Sequence, residues 1–511
     1  MPRIVTQSRT ALWRNRLQLA GGYGVLGVLA AAGQAPLGWW PLSLVALVLM
    51  FQTLPGAGDA RAWGVRLWLA GTGFFGASLF WIVEPFLVEP ESHAWMAPFA
   101  LVGMAAGMAL FWALAGWLAA RAASGRARLV ALVAALVLLE LARGWVLTGF
   151  PWAMLGHGLI GTPFMQLAAF TGAGGLSLVL LLLALFAVLG KAPGQRAAGA
   201  LAALALLGGL WLWGGAHATL PPDREGVVRL VQPNAPQAEK WREENIYMFF
   251  SRLLDLTSAP ASPAPDLVLW PETAVPFLLE HAGDGLMMMA DAMAGHGPRT
   301  RLGFGVQRIE EGRFFNSLAL IDTQAEVLEL YDKHHLVPFG EYVPLVERLL
   351  GPGYAGFAAR QLQGYSPGPG PRVLDLGPLG LALPLICYEA IFPRHLRTPT
   401  RPDWVMQITN DAWFGDLSGP YQHLAQARLR AVEQGLPVLR VANTGVSAVI
   451  DARGGVVAAL ELGATGYLDM PLPGALPPTF YARLGDWPVL LLLLTLLGGA
   501  ALAGRASTPM R

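Results

Sequence analysis

Three residues that could together perform acyl chemistry each follow an apolar run of the chain. Cys387, the only cysteine among 511 residues, follows LALPLI within the stretch 381–394; Glu272 follows LVLWP, and Lys333 follows LELYD. Groups at strand ends commonly meet at one edge of a sheet and build an active site. A thiolate is a nucleophile, a glutamate can take its proton, and a lysine can lower a thiol pKa and stabilise an oxyanion.

Each of these residues also has an ordinary explanation when it is taken singly. A lone cysteine is commonly a small buried hydrophobe, and a strand-end acid or lysine is commonly solvated. One cysteine excludes an internal disulfide and a multi-cysteine metal site. The chemical interpretation therefore depends on whether the fold brings the three residues together.

Other residues that could do chemistry give weaker support for a protease, a metal site or a nucleotide site. His334 and His335 would permit a Cys–His protease, but they adjoin Lys333 and no separate Asn or Asp orienter is evident. His423 has no partner at metal-ligand spacing, so we expect a solvated helix histidine. The Gly-rich segments 351–357 and 364–371 lack the GK[ST] ending of a phosphate loop.

The elements that must position these residues begin near residue 217, where charged residues, short β-rich runs and Gly/Pro turns appear. Strand patterns alternate with helical ones, which predicts a layered α/β domain. The predicted strand runs are 227–234, 266–273, 301–309, 314–322, 327–344, 373–389, 404–415 and 437–451, and the helical patterns are 244–257 and 423–435.

The composition indicates a membrane protein. Hydrophobic residues make up 54% and charged residues 14%, well below the roughly 25% charge of soluble domains. A net charge of +1 argues against a nucleic-acid binder. We predict eight spans from apolar segments near the required length of about 20 residues. They lie near 17–34, 38–54, 64–86, 95–120, 128–148, 164–190, 197–216 and 487–504.

The basic residues predict the orientation of these spans. With a cytoplasmic N-terminus, the cytoplasmic loops hold most of the arginines and lysines, whereas the opposite loops hold almost none except Arg143. We therefore expect a seven-helix region at 1–216, an outer catalytic domain at 217–486, and an eighth helix with a cytoplasmic tail at 487–511. In a bacterium the outer side would be the periplasm.

Glu140 and Arg143 lie at the outer end of the fifth predicted span, in LLELARGW. Ionisable groups at membrane depth are costly and usually face protein or a cavity. Two hypotheses stay open. The two residues form an ion pair one helical turn apart, or Arg143 contacts a lipid phosphate.

Four motifs carry a family resemblance: WPET, YDKHHLVPFGE, LICYE and TNDAWFG resemble the nitrilase superfamily of carbon–nitrogen hydrolases. That superfamily uses a Glu–Lys–Cys triad on a four-layer α-β-β-α sandwich. With apolar helices on both sides of the domain, the whole chain resembles the apolipoprotein N-acyltransferase family, which completes bacterial lipoprotein maturation in the inner membrane.

The resemblance implies a role for each residue. Glu272 would be the general base, Lys333 the oxyanion-stabilising residue, Cys387 the acylated nucleophile, and Glu341 a second glutamate that positions them. The supporting positions implied in the same way are Tyr388, Glu389 and Trp241. The implied partners are a phospholipid acyl donor, a diacylglyceryl apolipoprotein acceptor and the lipid bilayer. No cofactor, metal or nucleic acid is implied.

Two rival functions follow from the same residues. One is a membrane-anchored amidase or nitrilase that hydrolyses a small amide, although seven preceding helices exceed what an anchor requires. The other is a non-enzymatic lipid or lipoprotein binder, which an intact triad disfavours. We further predict that residues 345–371, rich in Gly, Pro and apolar side chains, form a mobile lid that touches the bilayer.

Overall fold

The chain divides into two units whose compositions differ. The computed structural model describes residues 21–190, 192–216, 220–343 and 364–506. One unit comprises Met1–His217 with Leu484–Arg511, and the other comprises Ala218–Arg483. Most of the hypothesised lid lies outside the described residues, which include only its last part, 364–371.

The first unit is helical. Its helices run over Gly21–Ala31, Trp40–Thr53, Ala60–Ser78, Ala97–Ala122, Ala127–Arg143, Ala168–Val188, Pro193–Gly215 and Trp487–Ala506, with short 3-10 or α turns between them. Long apolar sequences favour helices in a membrane because a helix satisfies its own backbone hydrogen bonds there.

The prediction of eight spans is supported only in part. Five helical segments of the described chain are long and apolar enough to cross a membrane, or six if the bent pair Ala60–Ser78 and Phe80–Leu87 forms one span. Gly21–Ala31 is shorter than that. Ala127–Arg143 has 17 residues, roughly 25 Å of helix against a hydrocarbon core of about 30 Å, and it carries Arg128, Glu140 and Arg143.

The second unit contains two six-stranded sheets. The first has the order β12-β1-β2-β3-β4-β5 and the second β11-β10-β9-β8-β7-β6. The strands are β1 Val227–Gln232, β2 Leu267–Leu269, β3 Arg301–Glu310, β4 Arg313–Ile321, β5 Val327–Asp332, β6 Leu374–Asp375, β7 Leu381–Ile386, β8 Trp404–Thr409, β9 Val438–Ala442, β10 Ser447–Ile450, β11 Val456–Leu460 and β12 Gly466–Pro471.

Alternating side chains place each sheet between two apolar layers. Leu267 and Leu269 of β2 belong to a core that also contains Met406 and Ile408 of β8, so the two sheets pack face to face. Val268, the residue between those two leucines, instead joins a core on the other face of its sheet.

Helices complete the layers. The core that contains Val268 also contains Phe250 of helix Glu243–Ser258 and Met289 of helix Gly283–Met293. On the far face of the second sheet, Ala427 of helix Gly419–Gln434 packs with Leu383 of β7. The α-β-β-α order implied by the resemblance is therefore confirmed.

Strand direction gathers the ends of several strands at one edge. β1, β2 and β3 are mutually parallel, as are β7, β8 and β9. β4 is antiparallel to both β3 and β5, so β5 runs in the same direction as β3. Glu272, Lys333 and Cys387 come directly after or close after β2, β5 and β7, and all three are buried.

Candidate active site

Cys387 occupies a strained turn at the end of β7. Its φ is +50°, a left-handed backbone conformation that is uncommon for a residue other than glycine. Such strain persists only where the surroundings impose it, and it clusters at functional sites. The 3-10 turn Cys387–Ile391 follows at once, and the amide of Ile386 donates to Glu389 Oε2 at 2.8 Å.

Glu272, Lys333 and Glu341 form one hydrogen-bonded group together with Asn316. Lys333 Nζ donates to Glu272 Oε1 at 3.1 Å and to Glu341 Oε1 at 2.9 Å. Asn316 Nδ2 donates to the same two oxygens at 2.7 and 3.0 Å. An ammonium and an amide therefore separate two carboxylates that would otherwise repel each other.

The second sheet also holds Glu272. The backbone amide of Asn410, just after β8, donates to Glu272 Oε2 at 2.9 Å. In the first sheet, Gly305 of β3 lies so close to the turn before Glu272 that an added Cβ would be 2.5 Å from the Glu272 Cα. The Glu272 carboxylate is thus positioned by a glycine of one sheet and an amide of the other.

The electrostatics of the group favour a neutral thiol at rest. Burial and the Glu272 carboxylate raise the pKa of Cys387, and Lys333 only partly opposes them. Lys333 therefore lowers the pKa of the Cys387 thiol, as expected, but burial and Glu272 raise it by more. Burial lowers the pKa of Lys333, but Glu272 and Glu341 outweigh it and raise that pKa well above its usual range, so the ammonium stays charged. Burial raises the pKa of Glu341, with Lys333 opposing.

Glu389 connects the Lys333 and Cys387 segments. Its Oε1 accepts from the backbone amides of His334 and His335 at 2.7 and 3.2 Å. Its Oε2 accepts from the amide of Ile386 and from the hydroxyl of Tyr331 at 2.8 and 3.0 Å. This fully buried carboxylate therefore holds the loop that follows Lys333 against the peptide that precedes Cys387.

Tyr388 and Trp241 lie in two different surroundings. The buried ring of Tyr388 packs edge-on against Phe392, with the ring centroids 5.1 Å apart. Trp241 lines a pocket with Pro271 and Asn443, and the ammonium of Lys240 lies 4.9 Å from the centroid of its ring.

Arg143 belongs to the helical unit, apart from this group. Its guanidinium donates to the carbonyls of Phe150 and Trp152, both at 2.6 Å, and to that of Ala153 at 3.3 Å. Glu140 Oε1 accepts from the amide of Leu155 at 2.9 Å. Both residues hold the segment after their helix, and contact between Arg143 and a lipid phosphate stays a prediction.

Several residues at the site were missed in the sequence. Asn316 and Asn410 contact Glu272 directly, and Lys240 is a buried lysine whose pKa is lowered by burial, with the nearby Glu272 carboxylate opposing. The available signal was a polar residue, Asn316, on the inward face of the apolar run FFNSLALI.

His423 is fully buried, so the expectation of a solvated histidine is wrong. Its Nδ1 lies 2.9 Å from Asp411 Oδ1, and its Nε2 lies 3.2 Å from the carbonyl oxygen of Cys387. Asp411 is also paired with Arg440. The helix Gly419–Gln434 thus brings a histidine to the backbone of Cys387, which helical periodicity alone did not indicate.

The arrangement can perform acyl transfer. A thiol on a strained turn can attack a carbonyl, a carboxylate beside it can take the proton, and a charged lysine can hold the oxyanion. Residues 26–186 match the apolipoprotein N-acyltransferase N-terminal domain, and residues 227–473 match the carbon–nitrogen hydrolase family.

Similar proteins span almost the whole chain. An apolipoprotein N-acyltransferase of Caulobacter vibrioides is 38% identical over 92% of this chain and 92% of its own length. One of Allorhizobium ampelinum is 39% identical over 94% and 95%. A solved Nesterenkonia amidase from the nitrilase superfamily covers 52% of this chain and 96% of its own, at 20% identity and a TM-score of 0.38. On the full-length matches, the chain belongs to the apolipoprotein N-acyltransferase family.

Proposed function

We propose that this chain transfers a fatty acyl group from a phospholipid to the N-terminal amine of a diacylglyceryl apolipoprotein through a thioester on Cys387. Its family makes it an acyltransferase of lipoprotein maturation. The observation that carries the mechanism is the buried contact of Lys333 with Glu272 and Glu341 at the strand edge where Cys387 also lies.

The first step acylates Cys387. Glu272 takes the thiol proton as sulfur bonds to the ester carbonyl carbon of the phospholipid. Lys333 Nζ and the backbone amide of Tyr388 stabilise the oxyanion. When the C–O bond breaks, Glu272 returns the proton to the departing oxygen, and a lysophospholipid leaves. Because burial raises the pKa of Cys387, thiolate forms only in concert with attack.

The second step transfers the acyl group to an amine. The α-amino nitrogen of the lipoprotein cysteine attacks the thioester carbon, and Glu272 accepts a proton from that nitrogen. As the C–S bond breaks, Glu272 passes that proton to the departing sulfur, which restores both the thiol and the carboxylate. Ping-pong kinetics follow from two substrates that share one nucleophile. Water must be excluded, because it would hydrolyse the thioester.

The helical unit supplies the setting for these substrates. Both the donor and the acceptor carry acyl chains, and five to six helices of the described chain are apolar and long enough to lie in a bilayer. We propose an inner-membrane protein with eight spans and a periplasmic catalytic unit at 217–486. The loop arginines support that orientation.

The decisive experiment is the intact mass of the protein after incubation with phospholipid alone. We expect a gain of one acyl group, which neutral hydroxylamine removes because thioesters are labile to it. Cys387→Ser should remain folded but gain no mass, because a hydroxyl is much harder to deprotonate than a thiol. Glu272→Gln and Lys333→Met should each prevent the gain.

Two results would contradict the mechanism. One is an acyl group on any residue other than Cys387, and the other is lipoprotein acylation that persists in Cys387→Ala. The amidase alternative has its own measurement: ammonia released from small amides in the absence of lipid. We expect no such release above the level of the Cys387→Ser control.

A further inference from the structure

Three histidine side chains form a chain that ends on Glu389. Nδ1 of His334 lies 2.6 Å from Glu389 Oε1. Nε2 of His334 lies 3.1 Å from Nδ1 of His395, and Nε2 of His395 lies 3.0 Å from Nδ1 of His335. His395 faces its two neighbours with different ring nitrogens, so the chain is a series of hydrogen bonds and not a set of ligands converging on one metal ion.

His395 comes from a different segment from its two partners. It lies in the turn Pro393–Leu396, after the turn that carries Cys387, whereas His334 and His335 directly follow Lys333. The ring of His335 also stacks on Phe392, with the centroids 4.1 Å apart. The three hydrogen-bonded histidines therefore join the same two segments that Glu389 joins through backbone amides.

The hydrogen bonds of the three histidines limit which ring nitrogen of each can carry a proton. An ionised carboxylate only accepts, so Nδ1 of His334 carries a proton. Burial lowers the pKa of His395 to about 2 and that of His335 to about 4, so each ring is neutral with one N–H. If His334 is neutral, His395 and His335 both carry their proton on Nδ1. If His334 is an imidazolium, both carry it on Nε2. One proton lies in every N–N contact in either form.

We infer that His395 is a positioning residue for acyl transfer. By bridging His334 and His335 it fixes the Glu389 carboxylate, on which the placement of Lys333 relative to Cys387 depends. The inference rests on the proposed function, because its effect is measured on the acylation of Cys387. His395 itself contacts neither Cys387 nor Lys333 through any hydrogen bond of the described chain.

Two conservative substitutions test the two hydrogen bonds of His395 one at a time. His395→Asn keeps a polar atom near the position of Nδ1 and so keeps the link to His334. His395→Gln reaches the position of Nε2 and keeps only the link to His335. Because only the ring of His334, among the three histidine rings, contacts Glu389, the asparagine variant should acylate Cys387 within about 3-fold of the wild type. The glutamine variant and His395→Phe should be slower by about 10-fold, the upper end of the effect of one ordinary hydrogen bond.

The rate is that of acyl-enzyme formation from phospholipid, followed by intact mass. KM for phospholipid should stay within about twofold of the wild-type value, because the loss is of geometry and not of substrate binding. His281→Asn, at an exposed histidine of the same unit, is the matched control and should leave the rate unchanged. Equal or faster acylation by the glutamine variant than by the asparagine variant would overturn the inference.

Failure of the inference differs from failure of the proposed function. Wild-type rates in all His395 variants reject the inference alone, whereas a wild type that forms no thioester rejects the function. If the variants do not fold, ¹⁵N spectra of histidine-labelled wild type still decide. His335 and His395 should carry their protons on the same type of nitrogen, and opposite tautomers would overturn the hydrogen-bond chain.

Discussion

At the scale of single residues, the site is a balance of charges that burial makes strong. Lys333 lies between two carboxylates, and the thiol of Cys387 is kept neutral by burial and by Glu272. A buried neutral thiol is less prone to oxidation than an exposed thiolate, because oxidation follows thiolate character and exposure.

Asn316 gives a direct test of this balance. Asn316→Ala removes a donor shared by Glu272 and Glu341, and we expect acylation of Cys387 to fall about 10- to 100-fold, the rate equivalent of ~1.5–3 kcal/mol for hydrogen bonds to charged groups. Asn316→Asp should be slower still, because it adds a third carboxylate. An aspartate variant faster than the alanine variant would contradict the bridging role.

Lys240 predicts a pH-dependent stability. Burial lowers its pKa to about 7, with Glu272 opposing, whereas the unfolded value is about 10.4. Between those values the unfolded chain binds more protons, so the free energy of unfolding rises with pH. The unfolding temperature of the wild type should therefore rise relative to that of Lys240→Met between pH 7 and pH 10.

The control for this comparison is Arg242→Met, which removes a positive charge at an exposed neighbour. Its unfolding temperature should differ from the wild-type value by the same amount at every pH. A difference between wild type and Lys240→Met that does not change with pH would show that Lys240 stays charged in the folded protein.

At the scale of elements, the turns after the strands need support from the neighbouring strand. The amide of Ala274 donates to the Gly305 carbonyl at 2.8 Å, and the Gly305 amide donates to the Pro271 carbonyl at 3.1 Å. β3 thus continues its pairing past the end of β2 and fixes the turn that carries Glu272. The absence of a Cβ at Gly305 makes this approach possible.

We therefore expect Gly305→Ala to displace Glu272. The added Cβ would lie 2.4 Å from the Thr273 amide nitrogen and 2.5 Å from the Pro271 carbonyl oxygen, both backbone atoms that cannot rotate away. Acylation of Cys387 should fall by about 100-fold or more, in line with the effect of roughly 1 Å misplacement of a catalytic group.

Gly295→Ala is the matched control, because nothing lies within 4 Å of its added Cβ. Acylation should stay at the wild-type rate in that variant. Near-normal acylation by a folded Gly305→Ala variant would show that the position of Glu272 does not depend on this contact.

At the scale of the whole molecule, the number of membrane crossings decides which side of the membrane each loop faces. Three predicted spans, 128–148, 164–190 and 197–216, separate Arg126 from Pro221. The structure supports two of these by length and composition, Pro163–Val188 and Ala197–Gly215. An odd number of crossings places the two positions on opposite sides of the membrane, and an even number places them on the same side.

Reporter fusions at Arg126 and Pro221 decide this point. We expect opposite sides, because many residues of the helix Ala127–Arg143 are buried among other helices and the loop arginines require an odd number. A fusion at Gly58 should report the same side as the one at Arg126. If the fusions at Arg126 and Pro221 report the same side, the segment 128–148 does not cross the membrane.

Much of the fold follows from periodicity and composition. Apolar runs bounded by Gly and Pro predict most strands of both sheets, because strands covered on both faces are apolar along their whole length. β11 and β12 were missed, since their side chains are mostly exposed or half-buried and neither VVAAL nor GYLDMP alternates apolar with polar residues. The predicted run 327–344 was too long: β5 ends at Asp332, before the loop that carries His334 and Glu341.

By itself, the sequence determined the membrane character, the layered domain, its family and the three residues proposed to do the chemistry, because residue type, local order and composition carry that information. Tertiary structure alone decided that Asn316 bridges two carboxylates, that Glu389 and three histidines join the Lys333 and Cys387 segments, and that His423 reaches the Cys387 carbonyl. These contacts join residues up to 61 positions apart, and their geometry depends on how strands and helices pack.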